Sequence, residues 1–180
     1  MKLERASIAD VLVLEPKVFG DARGFFMESW NQKTFEKLGI SANFVQDNHS
    51  HSARHVLRGL HYQVRQPQGK LVRVTSGEIW DVAVDLRRGS PAFGRWTGMK
   101  LDAESRRMLW IPAGFAHGFL VLSEQADVQY KATDYYAPEH ERTLLWNDPA
   151  LAIAWPLAGE PIMTDKDRRG TPLERSETFA

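Results

Sequence analysis

The chain has 180 residues, 43% of them hydrophobic, and its 23 Lys plus Arg balance 23 Asp plus Glu to a formal net charge of +0. That length suits one domain around one core, and a neutral chain offers no broad field for nucleic acid or an anionic membrane, so an anionic ligand must be held by locally placed basic groups. With no cysteine, disulfides, thiolate catalysis and thiolate zinc sites are excluded; no apolar run reaches the length of a membrane span, Met1-Lys2-Leu3-Glu4-Arg5 has no apolar signal core, and a cytoplasmic protein is expected.

Along the chain, short stretches alternate apolar and polar residues between turn signals. Strands are predicted over 11–14, 24–30, 43–51, 56–64, 70–75, 79–86, 93–101, 107–111, 117–122, 127–135 and 143–147. One helix is predicted over 32–38, closed by Gly39, and a second short one near Asp165. The clearest strand is 79–86, with Trp80, Val82, Val84 and Leu86 on one face and Asp81 and Asp85 on the other. Residues 1–169 read as a single domain and 170–180 as a polar, loosely held tail. So many short strands with so little helix point to an all-β, antiparallel jelly-roll barrel with a few short helices, an architecture whose interior commonly holds a small ligand.

Polar groups that share strand parity with apolar ones are the informative residues, because burying them costs free energy unless they have partners or a purpose. In Leu57-Arg58-Gly59-Leu60-His61-Tyr62-Gln63, His61 is either a general base near neutral pH or a structural histidine bonded to a carbonyl. Lys70 lies on the face of Val72 and Val74; it is a fixed cation in the barrel mouth, or it begins the strand and reaches solvent. Tyr130 shares a face with Val128 and Ala132 and is an inward proton donor or a core tyrosine.

Ile111-Pro112-Ala113-Gly114-Phe115-Ala116-His117 is a Pro-x-Gly-x-x-His turn of the kind cupin barrels carry, where in metal-binding members the histidine is a ligand. His49 and His51 could join His117 as three imidazoles. No acidic residue closely follows His51, so the ligand spacing fits metal only in part and no metal is expected.

Taken together, these segments resemble the dTDP-4-dehydrorhamnose 3,5-epimerase family, a cupin-like jelly roll, from about Met1 to Arg168. The matching stretches are Asp21-Ala22-Arg23-Gly24-Phe25-Phe26-Met27-Glu28, Gln46-Asp47-Asn48-His49-Ser50, Leu57 to Gln63, Gln68 to Arg73, Ile111 to Phe119, Lys131 to Tyr136 and Asp165-Lys166-Asp167. The resemblance implies that His61 is the base, paired with Asp167, that Tyr130 is the acid on the opposite face of the sugar, and that Lys70 stabilises the oxyanion. It further implies that Arg23, Glu28, Gln46, Asn48, Arg58, His117, Glu141 and Lys166 line the nucleotide-sugar site, with Tyr136 stacking on thymine. A homodimer, no cofactor and no catalytic metal are implied in the same way, with Arg23 and Glu28 completing the partner's site. The competing expectations are an epimerase acting at C3 or C5 alone, a metal-dependent cupin, and a sugar-binding cupin without chemistry.

Overall fold

The computed structural model describes residues 1–180, and the strands form two facing antiparallel sheets and a separate hairpin. In spatial order the first sheet contains β1 (Lys2–Arg5), β2 (Leu12–Glu15), β10 (Met108–Ile111), β7 (Lys70–Ser76), β12 (Gln125–Ala132) and β5 (Gln46–Ala53). The second contains β13 (Glu141–Thr143), β6 (Leu57–Gln63), β11 (Phe115–Val121), β8 (Glu78–Asp85) and β9 (Trp96–Asp102). The hairpin pairs β3 (Val18–Asp21) with β4 (Gly24–Met27). This is the expected all-β, cupin-like jelly roll.

Alternation along each strand builds the interior. Val72 and Val74 of β7 and Val128 of β12 meet Ile79 and Ala83 of β8 and Phe115 and Phe119 of β11 in the main core. The other face of the second sheet is buried as well: Leu60, Tyr62, Val82, Val84 and Leu86 pack under Trp155, Leu173 and Phe179. Outside the first sheet, Leu14, Leu71 and Met108 are covered by Phe35 of helix α1 (Gln32–Lys37) and by Ile40. That helix starts where the Asn31 side chain accepts the Thr34 N–H, and the chain leaves it through Gly39 at φ +84, the left-handed geometry that favours glycine.

Three expectations require correction. The tail 170–180 is held firmly: Leu144 bridges to Thr171, the Tyr62 hydroxyl donates to the Glu177 carbonyl at 2.8 Å, and Phe179 exchanges backbone hydrogen bonds with Leu86 and Arg88. Its few apolar side chains cover a sheet face that would otherwise be wet, so composition alone misjudged it. The strand expected over 24–30 ends at Met27 and pairs with β3, which was not foreseen. The one expected over 143–147 is replaced by the earlier and shorter β13.

Parity on strand 79–86 is as read, but it has a different consequence. Asp81 and Asp85 share the interior side with Ile79 and Ala83, and both are fully buried. A carboxylate there needs partners; Asp85 takes Arg87 and Ser90, and Asp81 takes His117.

Candidate active site

The site forms at one end of the space between the sheets, where β6 and β11 bring two histidines side by side: His61 and His117 are register partners. Between His117 and Phe119 the register shifts, and Gly59 faces Gly118 there. A Cβ on Gly59 would stand 2.5 Å from the Gly118 Cα, and Gly59 holds φ +124. The two backbones therefore approach in a way only glycine permits, and Arg58 reaches across to the Ser52 hydroxyl of β5 at 2.9 Å.

Each histidine has its own carboxylate. His61 Nε2 lies 2.6 Å from Asp167 Oδ1, and the second oxygen of Asp167 accepts from the Gly59 N–H. An ionised carboxylate can only accept, so Nε2 carries the hydrogen and Nδ1 keeps the free lone pair. Burial works to raise the Asp167 carboxyl, but the hydrogen bond and charge of His61 outweigh it and hold it below the usual range. Asp167 sits on helix α2 (Asp165–Arg168), where Thr164 caps the Asp167 N–H. His117 Nε2 meets both oxygens of Asp81, at 2.9 and 3.0 Å, and is 5% exposed.

Across the interior, β7 and β12 supply Lys70 and Tyr130, with the ammonium 5.7 Å from the ring centroid. Burial pulls Lys70 down to about 8, with Glu141 and Asp81 acting in the opposite sense. The Tyr130 phenol is pushed up by burial first and by Glu141 next, while Arg58 opposes. These influences come from residues of β6, β8 and β13, all in the second sheet.

A run of hydrogen bonds closes the rim. Gln46 donates to Asn48 and accepts the Tyr136 N–H, the Tyr136 hydroxyl donates to Glu141, and the same Glu141 oxygen accepts from Lys166. Tyr136 remains half exposed, its ring free for a flat partner.

Eleven of the thirteen expected residues therefore gather at one end of the barrel. Arg23 and Glu28 do not join them. Arg23 pairs with Asp21 on the exposed hairpin, and Glu28 accepts from Asn31 and Thr34 beside α1. The three-imidazole grouping also fails: His49 and His51 share Asp127 on the outside of the first sheet, and no cluster of metal-ligating side chains forms.

Sequence reasoning missed two residues. Asp81 was signalled by its interior parity between apolar neighbours. Gln63, 4% exposed, takes the Ala137 N–H and donates to the Gln66 and Tyr135 carbonyls, fixing the turn that carries Tyr136.

The family model described as dTDP-4-dehydrorhamnose 3,5-epimerase matches residues 5–175. The chain belongs to that family. A dTDP-4-dehydrorhamnose 3,5-epimerase of Pseudomonas aeruginosa is 62% identical over 180 residues, covering 99% of each chain. One from Salmonella typhimurium is 56% identical over 174 residues, covering 96% of this chain and 95% of that one. Among solved structures, the dTDP-6-deoxy-D-glucose-3,5-epimerase of Legionella pneumophila in complex with dTDP-4-keto-L-rhamnose superposes with a TM-score of 0.95 at 51% identity, covering 98% of this chain and 94% of that one.

Proposed function

We propose that the protein inverts C3 and C5 of dTDP-4-dehydro-6-deoxy-D-glucose to give dTDP-4-dehydro-L-rhamnose, with His61 as base and Tyr130 as acid. A ketone at C4 acidifies the hydrogens on both neighbouring carbons, because loss of either gives an enolate with its charge on the same oxygen. One site can thus serve both inversions. Each inversion requires a proton to leave one face of the ring and return on the other. The observation that carries the reading is the His61–Asp167 pair at 2.6 Å on β6 and α2, together with the buried Lys70 ammonium over the Tyr130 ring on the other sheet.

In this scheme Asp167 holds the hydrogen of Nε2, so the Nδ1 lone pair takes the sugar proton. The Lys70 ammonium neutralises the enolate oxygen; one preorganised donor of this kind contributes on the order of 3 kcal/mol. Tyr130 supplies the returning proton, and its raised affinity keeps it protonated until the carbanion forms. Arg58 and Lys166 meet the diphosphate, and Tyr136 stacks on thymine for about 1–3 kcal/mol. Gln46 and Asn48 supply rim hydrogen bonds, and His117, held by Asp81, bounds the sugar end.

The working unit in this reading is a cytosolic homodimer. Phe19, Phe25 and Phe26 are 53%, 58% and 72% exposed on a hairpin that also carries Arg23, an apolar patch suited to a second copy, with Arg23 and Glu28 reaching the partner's site. Light scattering giving a monomer would remove this part. For the chemistry, the purified protein is expected to wash deuterium from solvent into both C3 and C5 of the substrate. Label at one carbon alone would make it a single-site epimerase, and label at neither would refute the assignment.

A further inference from the structure

Gln63 is buried in β6, where an apolar side chain would pack at no cost, yet it carries an amide that must be satisfied. Its bonds all leave the strand. The side-chain oxygen accepts the Ala137 N–H at 2.9 Å, and the nitrogen donates to the Gln66 carbonyl at 2.7 Å and to the Tyr135 carbonyl at 3.2 Å. Gln46 of β5 accepts the Tyr136 N–H at 2.9 Å. Both peptide groups that flank the Tyr136 Cα are thereby tied to strands of the two sheets, while the Tyr136 ring stays 52% exposed. An exposed aromatic on so fixed a backbone is a preformed platform, because the ordering cost falls on folding and not on binding.

Resting on the reading of Tyr136 as the thymine platform, we propose that Gln63 is a positioning residue that fixes this platform against the strand carrying His61. It thereby sets the span between nucleobase and reacting sugar on which selection of a thymidine diphosphate sugar depends. His61 and Gln63 lie on one side of β6, separated by two residues, or roughly 7 Å of strand. The adjoining turns are laced as well. Gln68 donates to the Asp134 carbonyl at 2.8 Å, and the Gly69 N–H donates to the Thr133 hydroxyl at 2.8 Å. Gly69 immediately precedes Lys70 at the start of β7. The turn that bears Tyr136 is thus joined to His61 through Gln63 and to Lys70 through Gly69, so the nucleobase end and the chemical end of the site share one frame.

Calorimetric titration with two probes, thymidine diphosphate and inorganic pyrophosphate, tests this. Gln63→Leu is expected to weaken thymidine diphosphate about 10-fold, within the span of one base–aromatic stack, and to leave pyrophosphate within about twofold. Tyr136→Ala should cause the same selective loss. Adding Gln63→Leu to Tyr136→Ala should then cost nothing further, as for two residues that act through one contact. Equal weakening of both probes, no weakening, or an added loss in the double variant overturns the proposal, because a general loosening of the fold would not spare pyrophosphate. Should Gln63→Leu fail to fold, amide exchange in the wild-type protein decides. Tyr136 and Ala137 N–H groups protected before any nucleotide is added support the preformed platform; protection that arises only with thymidine diphosphate sinks it. Wild-type protein that binds pyrophosphate as tightly as thymidine diphosphate would instead overturn the thymine role of Tyr136, and the proposal with it.

Discussion

The two faces of the first sheet carry similar residues and do different things with them. Outside, Asp47 pairs with Lys131, Arg73 with Gln129, and His49 and His51 with Asp127. Each polar group is satisfied by a neighbour across the strand, and the pairs are wet. Inside, on the same strands, Lys70 meets the ring of Tyr130 instead of a carboxylate, and the ammonium is buried while the phenol is partly buried. A cation or phenol held dry without a full set of partners costs free energy that only a ligand can return. The contrast locates function by unmet bonding capacity, and residue type does not: the outer face even has more histidines.

A cavity of about 250 Å³ illustrates the point. It opens beside the outer face, lined by Asp47, His49, Arg73, Gln129 and Lys131, and Asn48 and Tyr130 also border it. Its charged groups are already engaged with one another, so it offers a ligand little that water does not.

If this contrast is right, inner-face substitutions should be severe. His61→Asn or Tyr130→Phe is expected to lower kcat by about 10²- to 10⁴-fold, the span of a positioned proton-transfer group, measured in a coupled assay on correctly folded protein. Lys70→Met should follow at about 10²- to 10³-fold, as for loss of one oxyanion donor. Equal losses from outer-face variants would erase the distinction.

These inner residues are largely legible in the amino-acid sequence. Strand parity set Lys70 with Val72 and Val74, and Tyr130 with Val128 and Ala132, and the fold honours both placements. Long-range partners were not legible from pattern: Asp167 lies 106 residues from His61 and 108 from Gly59, and nothing local announces the contact. Of the β3–β4 hairpin only β4 was expected; β3 escaped because all four of its residues, Phe19 included, are exposed in the single chain, against the rule that apolar residues mark buried faces. The tail escaped for the converse reason: a mostly polar segment can be fixed by Leu173, Phe179 and backbone bonds.

A middle-sized effect comes from pH. In the proposed scheme Lys70 must be cationic to neutralise the enolate, and burial brings its pKa to about 8. Activity should therefore be retained below that value and fall as pH rises through it, well before an ordinary lysine would titrate. A flat profile to pH 10 would place the limb elsewhere and weaken the inner-face reading of Lys70.

The smallest effect belongs outside. Asp47 is 70% exposed in its pair with Lys131, and an exposed pair is worth at most about 1 kcal/mol. Asp47→Asn should leave kcat unchanged and shift stability by less than that in a urea melt. A loss of several kcal/mol would show that the outer ladder is more than a solvated surface.

The most direct test of opposed proton transfer follows isotope and stereochemistry together in deuterated water. Wild-type protein should label and invert both carbons; His61→Asn should do neither; Tyr130→Phe should still label, because His61 removes and returns the proton on one face, while inversion is lost. Labelling that survives without His61, or that disappears together with inversion in Tyr130→Phe, would contradict the account.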